Sequence, residues 1–251
     1  MTLIPTQKDK LNGILSNYLT QTLVPGLYAA MEKQGYPMIP YVNSIGETPE
    51  SGITGFIESP RYSTGYTTLH NTIGFMPETH MLKSYDLRVD ATYKLLQAYV
   101  DIVARDAGII GENKQKADAF VAEQQAFPLD WKLNKNEVNE LSFKGFESGQ
   151  KPSAVSGANR LYYDRSRPYT KTIKEWNKFE PAITVQKPIA YIIPKAWDRV
   201  INLLKLNGVK LREIKADQKI EVESYYIGDF KTSTRPYEGH YLHSAVKLNP
   251  V

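Results

Sequence analysis

The chain has 251 residues, 41% of them hydrophobic and 23% charged, with a formal net charge of +4. That length can bury a real core in one large domain or two modest ones, and so small and dispersed a charge does not by itself call for nucleic acid. No cysteine is present, which excludes disulfides, thiol catalysis and cysteine-type zinc sites.

No apolar run is long enough for a transmembrane helix, and the opening MTLIPTQKDK lacks the apolar region of a signal peptide. Thr6-Gln7-Lys8-Asp9 reads as a helix start close to a capping box. Leu11, Ile14, Leu15, Tyr18 and Leu19 follow at helical spacing. Pro25 is expected to interrupt this run, and a second helical piece over residues 25–33 to stop at Gly35. Residues 37–42 and 53–57 read as strands, with turn chemistry over 43–52 between them.

Residues 73–75 read as buried strand. After Ser84 and Asp86, which can cap, the apolar positions Leu87, Ala91, Leu95, Leu96, Tyr99 and Val103 predict a helix that Gly108 should end. A more polar helix is expected over 111–125, closed by Pro128. Beyond Trp131 strand-like runs alternate with polar turns, at 138–146, 161–163, 189–193, 209–214, 219–227 and 240–248. Pro194 should open one clear helix with Trp197, Val200, Ile201 and Leu204, stopped by Asn207-Gly208. The Ser/Gly-rich stretch 149–159 reads as a mobile loop. The change of texture places a domain boundary near residues 128–131, giving units 1–128 and 129–251.

With no cysteine, metal ligands would have to be His or carboxylate. His70, His80, His240 and His243 form no His-x-x-Glu or His-Glu-x-x-His motif. On a strand, His240 and His243 would point to opposite faces, which speaks against a shared metal. Glu78 stands out because it ends an apolar strand, just after Pro77, where α/β sheets place active-site groups. The bland alternative is a surface ion pair with Lys83 or Arg88. Arg61 could meet a substrate carboxylate or be a solvated loop charge. Arg160, Arg165, Arg167, Lys171, Lys174 and Lys178 interleave with Tyr162, Tyr163, Tyr169 and Trp176. Such a pattern can bind single strands or glycans, but Asp164, Glu175 and Glu180 dilute the field, and a solvated sheet face is the expectation rather than nucleic-acid binding.

The stretch PRYSTGY (residues 60–66), then TIGFMPETHMLK (72–83), then the helix from Asp86 resembles the closing segment of the carboxypeptidase A-like zinc metallopeptidases. The resemblance spans roughly residues 1–107. It implies an α/β fold, in which the later part of a mixed-sheet zinc-carboxypeptidase-like domain is followed by a small β-rich domain with one clear helix. It implies that Glu78 is the catalytic general base of a peptide hydrolase, taking a proton from a zinc-bound water and passing it to the leaving amine. Tyr62 and Tyr66 are both candidates for a mobile tyrosine that closes over substrate, with Arg61 as a further substrate-binding residue. The family's zinc ligands, a His-x-x-Glu pair and a later His, precede this segment, so no metal ligand is expected here. Zinc would belong to the full-length enzyme. This chain, a fragment or natural truncation, would lack the zinc-binding half and be inactive alone. The expected partners are a peptide substrate and that missing half, with no nucleic acid and no membrane span. The resemblance points to a periplasmic or extracellular parent protein. The rival expectation is a non-catalytic binding or accessory module in which Glu78 is structural.

Overall fold

The computed structural model describes residues 1–251 and shows a mixed α/β protein in two compact units, Met1–Ile189 and Ala190–Val251. The first unit opens with strand β1 (Thr2–Pro5), which the sequence reading missed. Its Leu3 and Ile4 are buried. Thr6 does not cap a helix. A 3₁₀ turn at Lys8–Lys10 is capped by Gln7, whose side chain accepts from the Asp9 N–H at 3.0 Å.

Helix α1 (Gly13–Tyr18) starts under Asn12, whose Oδ1 accepts from the Ile14 N–H at 2.9 Å. It continues through a π turn at Leu19–Leu23 into α2 (Val24–Lys33). Pro25 therefore does not break the run. The π turn just before it shifts the bonding by one residue, with the Val24 N–H reaching the Leu19 carbonyl, and the widened backbone accommodates the proline ring and its missing N–H. Gly35, at φ +79°, ends α2 as expected.

Two short strands follow, β2 (Ile39–Pro40) and β3 (Ile53–Thr54). Between them lies the turn-rich segment, with a 3₁₀ turn at Pro49–Ser51. Helix α3 (Ser63–Thr67) leads to strand β4 (Phe75–Glu78). Strand β1 sits at the centre of a mixed three-stranded sheet, parallel to β2 and antiparallel to β4.

The next element departs most from expectation. Helix α4 (Tyr85–Glu123) runs 39 residues without a stop at Gly108 or at Gly111, about 58 Å at 1.5 Å per residue. Glycine weakens a helix but does not end one without a left-handed cap residue. The far half is held by the i,i+4 pairs Glu112–Lys116 and Lys114–Asp118, by Asn71 donating to Asp118 at 2.8 Å, and by buried Ala117. Ala91, Leu95, Ala98 and Ile102 form the face that packs with Leu15, Leu19, Leu27 and Met31 in the main core.

The helix gives way to β5 (Ala126–Leu133), so Pro128 lies inside a strand rather than at a domain edge. Strand β5 pairs with β8 (Phe179–Gln186). The long hairpin β6 (Asn139–Pro152) and β7 (Asn159–Trp176) pairs through β7 with β3. Much of the stretch expected as a loop, from Gly149, is therefore sheet, and only the turn at its tip is irregular.

The expected boundary at residues 128–131 is not where the chain divides. Contacts across it explain why. The Phe179 N–H donates to Asp9 at 2.8 Å, and Gln7 Nε2 donates to Asn177 at 2.7 Å. Lys10 Nζ sits 5.0 Å over the Trp131 ring. The second unit holds helix α5 (Asp198–Leu206) and the hairpin of β9 (Tyr225–Thr232) and β10 (His243–Pro250). The apolar runs at 189–193 and 209–214 find no partner strand and stay irregular. No helix of either unit is long and apolar enough to cross a membrane.

Candidate functional site around Glu78

Glu78 is the last residue of β4, opposite Thr2 of β1. The strand leaves the half-buried Phe75 and Met76 and becomes exposed at Pro77 and Glu78. That transition puts a carboxylate at the open end of an otherwise packed strand. Neither Lys83 nor Arg88 pairs with it; the Arg88 guanidinium instead lies 5.7 Å over the Tyr85 ring. After Glu78 the chain turns through His80, whose Nδ1 accepts from the Leu82 N–H at 3.2 Å, and enters α4.

Arg61, Tyr62 and Tyr66 are brought together on one short unit, the turn at 59–62 and helix α3. The Tyr62 N–H donates to the Ser59 carbonyl at 3.0 Å, and the Arg61 N–H to Ser59 Oγ at 3.4 Å. All three side chains are exposed. The Tyr66 ring lies 5.0 Å from that of His70.

The support beneath this unit is polar and buried, and sequence reasoning missed it. Glu58 is 8% exposed and accepts a hydrogen bond from the Thr64 hydroxyl. Lys10 Nζ donates at 2.5 Å to the Glu58 carbonyl oxygen. Gly65 fits against the same turn so closely that a Cβ there would lie 2.1 Å from the Ser59 carbonyl oxygen. Thr6 has no exposed surface. Its hydroxyl accepts from the Gly74 N–H at 2.8 Å and lies 3.3 Å from the Thr64 carbonyl and 3.2 Å from the Thr67 hydroxyl. This knot ties α3 to the residue before β4. It anchors α3 at the opposite end of the strand from Glu78, four residues along the chain, or about 13 Å of strand. The signal in the sequence was the Thr-rich run 64–68, which reads locally as turn chemistry and says nothing of Thr6.

Two charged groups beside the knot reach the β5–β8 pair, Asp9 through Lys178 and Phe179 and Lys10 through the Trp131 ring. Burial raises the Asp9 carboxyl, but Lys178, the Phe179 N–H and Lys8 outweigh it and hold the group below its ordinary value. Burial lowers Lys10, against the pull of Glu58.

No three His, Asp or Glu side chains converge in a way that could hold a metal ion. His243 Nδ1 lies 3.0 Å from the Thr232 hydroxyl, and its ring stands edge-on to Phe230, so His243 is engaged in the β9–β10 hairpin. His240 lies outside that hairpin's strands and pairs through its backbone with Tyr237. A shallow depression of about 610 Å³ is lined by Gln34, Tyr93, Leu96, Gln97, Val100 and Asp101 and includes none of the expected site residues.

Comparison with protein-family models, with curated proteins and with solved structures returns no match to this chain.

Proposed function

We propose that this chain supplies the general base of a metallocarboxypeptidase-type peptide hydrolase, and that the base is Glu78. The observation that carries the reading is the placement of Glu78: an exposed carboxylate without an ion-pair partner, at the end of a strand in a mixed sheet, followed directly by a long helix. A carboxylate there can accept a proton from a water attacking a peptide carbonyl and return it to the leaving amine. Tyr62, Tyr66 and Arg61, carried on one anchored turn, are the substrate-binding candidates.

Zinc supplies the Lewis acid in the enzymes that the sequence resembles. The residues of this chain do not fit that ion, since no set of three ligands converges. In this reading the metal is held by a separate zinc-binding half, and the enzyme belongs to the periplasm or the extracellular space. Two features support a packing partner for the first unit. The sheet β2-β1-β4 has only three strands and two unpaired edges. Helix α4 also carries a second apolar face, with Val89, Tyr93, Leu96, Val100 and Val103 between 46% and 67% exposed, on the side away from its buried face.

The test is reconstitution. The chain alone should hydrolyse no C-terminal residue from a peptide, with or without zinc. Joined to a zinc-binding half, it should gain zinc-dependent carboxypeptidase activity. A folded, zinc-loaded joined protein without that activity would leave the chain a non-catalytic module.

A further inference from the structure

The outer part of the β6–β7 hairpin plays no role in the site above. Beyond Phe143 and Ile173 no side chain of either strand is buried. The ribbon runs on from the Gly145–Tyr169 rung to the Pro152–Asn159 rung, about 23 Å at 3.3 Å per residue. It ends in a closed turn. The Ser153 N–H donates to the Ala158 carbonyl at 2.8 Å, and the Gly157 N–H to the Ser153 carbonyl at 2.9 Å. Ser153 Oγ accepts from the N–H groups of Val155 and Ser156 at 3.2 and 3.4 Å. At the crown Val155 is 98% exposed, an apolar side chain held out by a hydrogen-bonded turn.

Behind the crown come charges of one sign. Lys151 and Arg160 face each other across the ladder, an arrangement that is repulsive on its own. Neither side chain makes an ion pair, and residues 148–163 contain neither Asp nor Glu. The carboxylate that comes near, Glu47, accepts from Gln150 Nε2 at 2.6 Å, one position along the strand and so on the ribbon's other face. Lys151 Nζ lies 4.8 Å over the Tyr162 ring, and that ring rests on Gly149, where a Cβ would come within 2.9 Å of it. Tyr163 is adjacent. Next, the ladder jumps from the Ser148–Tyr163 rung to the Phe146–Pro168 rung. The residues between display Arg165 and Arg167 on a turn in which Asp164 accepts from the Ser166 N–H at 3.0 Å and the Ser166 hydroxyl at 2.7 Å. From the tip inward the order is apolar crown, opposed cations, tyrosines, arginines.

We infer that this hairpin tip docks on an anionic lipid surface. Val155 enters the interfacial layer, Lys151 and Arg160 meet lipid phosphates at one level, and Tyr162 and Tyr163 rest among the headgroups, where amphipathic rings are favoured. The like-charge rung that is costly in water becomes favourable against a plane of negative charge. Nucleic acid fits less well, because Lys151 already sits over the Tyr162 ring, where a base would have to stack. One apolar residue anchors weakly, so the attachment is reversible and salt-sensitive. The inference is independent of the peptidase reading.

The test is sedimentation of the whole chain with unilamellar vesicles of phosphatidylcholine, alone or with about one-third phosphatidylglycerol, a content chosen to give a strongly negative surface. Binding is expected to the phosphatidylglycerol vesicles only and to fall with added salt. Lys151→Gln and Arg160→Gln should each weaken it about fivefold, the equivalent of one basic residue at a charged surface. Val155→Ser should weaken it as well. These side chains are exposed, so circular dichroism should stay unchanged, and Lys195→Gln in the second unit should bind as the parent does. Three outcomes would overturn the inference: no binding to phosphatidylglycerol vesicles by folded chain, equal binding to both vesicles, or unchanged binding in the Lys151→Gln/Arg160→Gln double variant. A single-stranded oligonucleotide bound more tightly than vesicles, and lost in the same variants, would replace lipid with nucleic acid.

Discussion

The Thr6 hydroxyl meets partners that all come from positions 58 to 68 residues away along the chain. A buried hydroxyl with such partners is hard to replace. Thr6→Val keeps the shape but orphans the Gly74 N–H, and should destabilise the protein by about 1–3 kcal/mol in urea unfolding. An unchanged midpoint would remove Thr6 as the anchor of α3. Glu175 makes the opposite prediction. Burial raises its carboxyl above the ordinary value of 4.5, with Lys8 opposing. A carboxyl raised in the folded state is harmless while protonated and costs stability as pH rises through its folded value. Glu175→Gln should therefore raise the melting temperature at pH 7, with the gain vanishing below about pH 4, under the unfolded value. Among single residues, the strand-end position of Glu78 was legible, because an apolar run closed by proline announces where a strand stops. The Thr6 knot was not, because three separate segments build it and each alone looks like ordinary turn chemistry.

Helices tell the same story at larger scale. The apolar stripe of α4 was visible in Ala91 and Leu95, both buried, yet Leu87, Leu96 and Val103 from the same stripe are exposed. Periodicity showed that a helix exists but did not separate its two apolar faces. Gly108 read as a stop because glycine so often is one; here both Gly108 and Gly111 are helical with open space around a would-be Cβ. Gly108→Ala should then stabilise by about 0.5–1 kcal/mol, through helix propensity and a less flexible unfolded chain. A loss of stability on chemical denaturation would mean that the helix does end there. Leu95→Ala, from a side chain with no exposure, should cost about 2–5 kcal/mol, whereas Leu96→Ala on the exposed face should cost far less. Strand β1 escaped notice because four residues ending in proline carry little pattern. The hairpin at β6–β7 was only half read, since residues 149–159 are mostly small or polar and mimic a loop.

At the scale of the whole molecule, the chain divides after Ile189. Sequence texture shifts at Trp131, but texture reports the change from helix to sheet, while contact reports where folding units separate. Limited proteolysis should cut within the exposed, irregular segment 187–197 and leave a stable fragment close to Met1–Ile189. A first cut at 128–132 would restore the boundary that composition suggested. The central claim, that Glu78 is a catalytic base, is met most directly by Glu78→Gln in the chain joined to a zinc-binding half. Gln keeps the size and the exposed position but cannot take a proton. Zinc content and melting temperature should match the parent, while kcat falls by about a hundredfold or more, the ordinary consequence of losing a general base. Turnover equal to the parent's, at equal zinc and equal stability, would contradict it.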